Sequence, residues 1–189
     1  MSRESRKLFG LLGAFGAAAV NWGLTKTRKT RNTLDTQVGH QSRSGNGLAE
    51  PDIGQAGAGA TRELTRAEIT RLSPAYDPHP DGDPDPGEII WTWVPYVEND
   101  GRGKDRPVLI IARIGAHAVA GCYLSTKQHD GFISVGRGAW DAQGRESFIN
   151  PSRILLVSDL GMRREGHVVP PDRFDQAVRH IAGLHGLTA

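Results

Sequence analysis

The feature that most constrains this chain is an abrupt change of composition near residue 86. From about residue 30 to that point the sequence is mostly Gly, Ser, Thr, Asn, Asp and Pro, in stretches such as SRSGNG, GQAGAGA and YDPHPDGDPDPG. Such stretches bury too little apolar surface to offset the conformational entropy that folding removes. Beyond that point β-branched and aromatic residues dominate. We therefore predict one folded domain over residues 86–189, preceded by a disordered linker over residues 32–85.

One part of the linker, TRELTRAEITRL, has a helical pattern. Its apolar residues recur near helical spacing, at Leu64, Ile69 and Leu72. Thr65 followed by Glu68 matches a capping box, in which each side chain bonds the other residue's backbone N–H. Ser73 ends the pattern because the proline after it disfavours helical backbone. The sequence thus predicts a short helix near residues 64–72.

The charge is unevenly distributed along the chain. Residues 1–31 contain seven basic groups and one acidic group, so this arm has a net charge of +6. The rest contains 16 basic and 20 acidic groups and has a net charge of −4. A strongly basic domain that coats nucleic acid is therefore excluded, and any contact with RNA or DNA has to be local.

Residues 8–24, LFGLLGAFGAAAVNWGL, form an apolar run between basic clusters. A signal peptide is disfavoured by the basic cluster that follows, and a spanning helix needs about 20 apolar residues without such frequent glycines. An interfacial helix with weak attraction to anionic lipid fits the charges better, and a disordered extension is the alternative. We predict a cytoplasmic protein, with this arm as a peripheral contact at the inner face of the membrane.

Cysteine and histidine usage argues against a metal site or a disulfide framework. Cys122 is the only cysteine, so no intrachain disulfide forms and a reducing compartment is favoured. His180 and His185 are the closest pair of histidines, but their spacing of five does not place both on one helix face. We expect neither a metal nor a cofactor.

Five or six short strands are predicted within about 75 residues. They are GEIIWTWVPYV, RPVLIIARIG, HAVAGCYLST, FISVG and SFINPSRILLVS, separated by turn sequences. RPVLIIARIG is nearly all apolar, so it should be central and covered on both faces, and a turn at residues 114–116 should pair it with the next strand. PPDRFDQAVRHIAGLHG reads as a helix, entered at Pro170 and Pro171, capped by Asp172 and ended by Gly183 or Gly186. This pattern is typical of a small barrel with a C-terminal helix.

The order of these pieces resembles the MazF/PemK family of type II toxins. PGEIIWTWV, the charged loop GRGKD, RPVLIIAR, GCYLST and SFINPSRILLVSD match family segments in order over residues 86–186. The resemblance implies a mainly β, SH3-like small barrel of the CcdB/PemK type and an endoribonuclease that cleaves single-stranded RNA. It also implies a homodimer and a cognate antitoxin. The family's active-site arginine and hydroxyl correspond here to Arg106 and to either Ser125 or Thr126.

RNA cleavage of this kind needs no metal, because the 2′-OH of the substrate attacks the adjacent phosphate. The guanidinium of Arg106 offers a planar fork to two phosphate oxygens and stabilises the charge that develops there. We further predict contacts to RNA from Lys104, Lys127, His129 and Trp140, with His129 able to titrate near neutral pH. Trp140, in a turn, is the preferred platform for stacking on a base; of Trp91 and Trp93, at least one should be core.

Simpler interpretations stand beside each of these. Arg106 would pair with Asp105 or Asp100 at the strand entrance, the two hydroxyl residues would only end a strand, and His129 would be a solvated loop residue. At the level of the whole protein, the rival is a non-catalytic SH3-like binding module. In that case the linker would tether the module to a membrane-associated arm.

Overall fold

A computed structural model of the protein describes residues 50–187. The predictions for the basic arm, for the apolar run 8–24 and for the first part of the linker lie outside the described residues. Within residues 50–187, neither helix has the length and apolar character that crossing a membrane requires.

The described chain is mainly antiparallel β-sheet with one long helix at its C-terminal end, which confirms the predicted fold class. The strands are β1 Arg62–Glu63, β2 Glu88–Pro95, β3 Gly103–Ile114, β4 Ala118–Ser125, β5 Ile133–Gly136, β6 Ser147–Ile149, β7 Leu155–Ser158 and β8 Arg163–Val168. The helices are α1 Arg66–Ile69 and α2 Pro171–His185, with short 3-10 turns at Gly57–Gly59 and Asp159–Gly161. The strand order is β1-β7-β4-β3-β2-β8, and β6 pairs with both β4 and β5.

Strand β3 is central and covered on both faces, as its apolar sequence predicts. Val108 and Ile110 are fully buried in one core, together with residues of β2, β4 and β7. Leu109 and Ile111 are fully buried in a second core, which includes the inner face of α2. Successive side chains of a strand point to opposite faces, so an uninterrupted apolar run supplies both cores at once.

Strands β3 and β4 form the predicted antiparallel hairpin. Ile114 pairs with Ala118 across a turn in which Gly115 has a φ of 62°. Strand β4 then changes its outer neighbour along its length: residues 118–121 pair with β7, whereas Leu124 and Ser125 pair with β6. The far ends of β3 and β4 therefore lie where the sheet divides, and this is where the candidate site is found.

Helix α2 begins and ends close to the predicted positions. Pro171 occupies its first turn, and Gly186, with a φ of 70°, ends it, whereas Gly183 lies inside the helix. The cap differs from the prediction: the N-cap is Pro170, which makes no side-chain cap, and Asp172 lies in the first turn. The face formed by Phe174, Ala177 and Ile181 is buried in the second core.

The structure corrects the prediction of a disordered linker for residues 50–85. Leu64 and Ile69 are only 5% and 6% exposed and belong to the second core. Tyr76 packs on Phe174, with 5.1 Å between ring centroids, and its hydroxyl donates to the carbonyl of Val169. A few well-placed apolar side chains thus hold a segment whose average composition is polar. Helix α1 is shorter than predicted, but the capping box between Thr65 and Glu68 is confirmed.

Residues 53–77, here called the N-terminal clasp, run across strands that are distant in sequence. The backbone N–H of Trp93 in β2 donates to the carbonyl of Ile53, and Glu63 pairs with Leu155 in β7. Where the clasp crosses β2, the buried hydroxyls of Thr61 and Thr92 are 2.6 Å apart. Further along, the N–H of Ala75 donates to the carbonyl of Ile111 in β3. The clasp therefore makes backbone contacts with β2, β3 and β7.

Two strands, β1 and β8, were not predicted from the sequence, and the segment SFINPSRILLVS, predicted as one strand, contains both β6 and β7. The segment RREGHV forms β8, which pairs with β2 and is exposed at five of its six positions. The segment is polar and lacks the alternation of apolar and polar residues that is typical of a strand. Nothing in the local sequence therefore distinguishes it from a loop.

The clasp should contribute to stability like the rest of the core. Leu64→Ala removes a buried side chain, so we expect it to lower the free energy of unfolding by about 2–4 kcal/mol. Arg66→Ala, at an exposed position of the same segment, should change it by less than about 0.5 kcal/mol. Chemical denaturation of both variants measures the difference, and equal stability would show that the clasp is not docked.

Candidate active site

A cavity of about 360 Å³ opens at the ends of β3 and β4. All seven predicted site residues line it, namely Lys104, Arg106, Ser125, Thr126, Lys127, His129 and Trp140. The remaining lining residues include three aromatic and three charged side chains: Trp91, Tyr123, Phe132, Asp105, Asp141 and Arg145. The strands thus bring the predicted residues to one place; their roles remain predictions.

The register of β3 and β4 explains why Arg106 and Ser125 are close. Val108 pairs directly with Tyr123. Arg106 lies two residues before Val108, and Ser125 lies two residues after Tyr123, so both are two positions beyond this pair at the same end of the hairpin. Because side chains alternate between faces, Arg106 and Ser125 point to the same side as Val108 and Tyr123. The guanidinium carbon of Arg106 lies 5.1 Å from the centre of the Tyr123 ring, a diagonal cross-strand contact of cation–π type.

The carboxylates expected to neutralise Arg106 are bound elsewhere. Asp105 pairs with Arg163, with 2.7 Å between Nη2 and Oδ2, and Asp100 pairs with Arg102 at 2.7 Å. Within the part of the chain that the structure describes, Arg106 makes no ion pair. The simpler interpretation of Arg106 as a structural partner of Asp105 or Asp100 is therefore not what is observed. Its guanidinium is half-buried and available to an anion.

The two candidate hydroxyls differ in their surroundings. Ser125 is half-buried, and its Oγ accepts the backbone N–H of Lys127 at 3.0 Å. This bond orients the oxygen and leaves the hydroxyl hydrogen free to donate. Thr126 is exposed at the rim of the cavity. Of the two hydroxyl oxygens, that of Ser125 is the one oriented by a backbone hydrogen bond.

The cavity has a local excess of positive charge. Lys104 and Lys127 are exposed and, among residues 50–187, neither forms an ion pair. Arg145 is instead held by Asp141, with Nη2 2.6 Å from Oδ1 and Nε 3.1 Å from Oδ2. The hydrogen bonds from the Arg145 side chain and backbone lower the pKa of Asp141 to about 2, so this pair is ionised throughout the neutral range. Unpaired cations in a domain without a general basic surface favour a local anion site.

His129 lies in the cavity wall and stacks near Phe132, with 4.9 Å between ring centroids. It is exposed, and no carboxylate of the described residues pairs with it. Its position in the cavity wall is compatible with contact to a ligand.

The proposed base-stacking role of Trp140 is contradicted by its burial. The side chain is only 5% exposed, and its Nε1 donates to the hydroxyl of Ser147 at 3.0 Å. The turn folds back on the domain, so this indole anchors the loop that carries Asp141 and Arg145. Trp91 and Trp93 are both half-buried, so neither is a full core residue. Trp91 does line the cavity, with the guanidinium of Arg163 5.9 Å from its ring centre.

A second cavity, of about 400 Å³, adjoins the first across Arg106 and Tyr123, which line both. Its other walls come from the end of β2 and the loop after it, together with Arg153. Sequence reasoning did not single out Tyr123 or Arg153. A signal for Tyr123 was available, because it lies two residues before Ser125 on the same face of β4.

Two further observations bear on the chemistry available here. Burial raises the pKa of the Cys122 thiol to about 12, so it is not a nucleophile at neutral pH. Among residues 50–187, no three His, Cys, Asp or Glu side chains are grouped so as to hold a metal ion.

No protein-family model and no curated protein matches the chain. Among solved structures, it is similar to the MazE–MazF complex from Deinococcus radiodurans, at 15% identity and a TM-score of 0.42, covering 56% of this chain and 97% of that one. It is also similar to an endoribonuclease in complex with its cognate antitoxin from Mycobacterial species, at 16% identity and a TM-score of 0.44, covering 57% and 99%. MazF from Deinococcus radiodurans matches at 17% identity and a TM-score of 0.41, covering 55% and 96%. These values are too low to transfer a substrate, a partner or a residue role to this chain.

The pairing of Arg145 with Asp141 can be measured by titration. In the wild type the Asp141 carboxyl should titrate near its lowered pKa of about 2. In Arg145→Gln the pKa should rise towards the ordinary aspartate value without reaching it, because the backbone N–H of residue 145 still donates to the carboxylate. Carbon NMR of the carboxyl group follows this shift, and an unchanged pKa would mean that the two side chains are not paired in solution.

Proposed function

We propose that this protein is an endoribonuclease that cleaves single-stranded RNA without a metal ion. In this reaction the 2′-OH of one nucleotide attacks the adjacent phosphorus and releases its proton to water. The bond to the 5′ oxygen of the next nucleotide breaks, and that oxygen takes up a proton. The products are a 2′,3′-cyclic phosphate and a 5′-OH. The protein is required only to bind, orient and neutralise the phosphate.

The observation that carries the proposal is that Arg106, which makes no ion pair within residues 50–187, lines the same cavity as Ser125, Lys104 and Lys127. A guanidinium matches two phosphate oxygens with parallel hydrogen bonds. Its donors stabilise the charge that grows on those oxygens in the transition state, an effect of about 3 kcal/mol for one well-placed donor. Arg106 is assigned this role and not that of a base, since a guanidinium does not readily lose its proton.

The other residues have supporting roles in the proposal. Ser125 donates its hydroxyl hydrogen to a phosphate oxygen, and the two lysines attract the RNA backbone. Tyr123, Phe132 and Trp91 replace Trp140 as the aromatic surfaces on which a base would lie. His129, in the wall of the same cavity, is assigned the exchange of a proton with the leaving 5′ oxygen.

The cognate antitoxin and the homodimer are implied by the family resemblance alone and stay predictions. The same holds for a toxic effect of the protein on cell growth. RNA cleavage can be tested first, because it needs only the purified chain.

Arg106→Ala should lower kcat for cleavage of an RNA pool by at least about 100-fold, because the main stabiliser of the transition-state charge is lost. The Tm should change by only a few degrees, since Arg106 is half-buried and forms no ion pair within the described residues. Arg179→Ala, on the exposed face of α2, serves as the matched control and should leave cleavage unchanged. End-group analysis of the products checks the cyclic phosphate, and cleavage should persist in a chelator.

The same assay separates the proposal from the non-catalytic binding module. Wild-type protein that binds single-stranded RNA without cutting it would support the binding module. Wild-type protein that neither binds nor cuts RNA would exclude RNA as its ligand. Equal cleavage by wild type and Arg106→Ala would point to a contaminating nuclease.

Ser125 and Thr126 can be distinguished by removing one hydroxyl at a time. Ser125→Ala should reduce kcat by about tenfold or more, because it removes a donor oriented by the N–H of Lys127. Thr126→Val, at the exposed rim, should reduce it by less than about threefold. Single-turnover cleavage by the two variants measures the difference, and the reverse order would assign the active hydroxyl to Thr126.

A further inference from the structure

Arg153 is an almost fully buried arginine that connects three parts of the chain. It is 8% exposed, and its Nε donates to Oε2 of Glu63 in the N-terminal clasp at 2.8 Å. Its Nη1 donates to the carbonyl of Pro95 at 2.7 Å, and its Nη2 lies 3.5 Å from the carbonyl of Tyr96. A buried guanidinium needs such a set of acceptors, so each one restrains the position of the others.

The carbonyls that Arg153 contacts belong to Pro95, the last residue of β2, and to Tyr96, the first residue of loop 96–102. This loop forms one wall of the second cavity. The loop is closed by the N–H of Tyr96 bonding the carbonyl of Arg102 at 3.0 Å, and the carbonyl of Tyr96 also accepts the N–H of Asn99. A shift of Arg153 would therefore move the base of the loop. That loop faces Arg106, which lines the same cavity.

We propose that Arg153 is a positioning residue of the candidate active site, and that Glu63 sets its position, so that the N-terminal clasp controls how the second cavity receives RNA. The inference rests on the proposed function. RNA that passes over Arg106 extends from the first cavity into the second, where loop 96–102 contacts the nucleotide next to the scissile phosphate. Displacement of the clasp releases Arg153 and loosens that contact.

The test compares two substitutions in β1 of the full-length protein. Glu63→Gln removes the charge that holds Arg153. Arg62→Gln breaks the ion pair with Glu68 and the bond from Arg62 Nη1 to the carbonyl of Glu63, and it keeps the Glu63 carboxylate that accepts from Arg153. The probe is a short, mixed-sequence, fluorescent RNA methylated at every 2′ oxygen, which cannot be cleaved. Cleavage kinetics on unmodified RNA and amide exchange of loop 96–102 are measured on the same proteins.

For Glu63→Gln we expect binding of the methylated RNA to weaken by about five- to tenfold, with a matching rise in KM, while kcat stays within about twofold. Amide exchange in loop 96–102 should become faster. Arg62→Gln should behave as wild type in all three measurements. Equal behaviour of the two variants, or a fall in kcat alone for Glu63→Gln, would overturn the inference.

Failure of the proposed function can be told apart from failure of this inference, because it shows in RNA binding and cleavage by the wild-type protein. Wild-type protein that neither binds nor cleaves RNA overturns both the nuclease and the role of Arg153 towards RNA. Wild-type protein that binds and cleaves, together with a Glu63→Gln variant that binds equally well, overturns only the role of Arg153.

Discussion

The pairing of β3 with β4 is the interaction on which the rest of this structure depends. Its register, with Val108 opposite Tyr123, places apolar side chains in both cores. It also carries Arg106 and Ser125 past the end of the paired region on a shared face. A shift of one residue would turn every side chain of one strand to the other face, so the core and the candidate site are specified together. The burial of β3 on both faces is what makes that register costly to change.

The electrostatics of the candidate site follow from how its neighbours are paired. Asp105 forms an ion pair with Arg163, and Asp141 forms one with Arg145. These pairs satisfy the carboxylates nearest to the cavity, which leaves Arg106 without a competing internal anion among the described residues. An arginine in such a position gains most from an external anion, because its charge is partly desolvated and uncompensated.

Local sequence could predict the parts of the fold that have a local cause. The central strand, the hairpin, α2 and the capping box at Thr65 follow from apolar runs, turn residues and caps. Trp140 was misjudged because a turn sequence does not reveal that its loop folds back onto the core. Residues 50–85 were misjudged because two buried side chains, Leu64 and Ile69, and the half-buried Tyr76 are hidden within a polar average. Arg153 gave no signal at all, since its three partners lie 57, 58 and 90 positions away in the sequence.

The pairing of the clasp with a late strand affects when the domain can fold during synthesis on the ribosome. Residues 62 and 63 pair with residues 156 and 155, and the start of β2 pairs with the end of β8 at residue 168. Contacts between the two ends of a domain form late, because the intervening chain has to be available first. A nascent chain that already contains Arg106 and Ser125 therefore still lacks β7, the partner of β1, and β8, the partner of β2. Any activity of this site would begin only once these two strands have been synthesised.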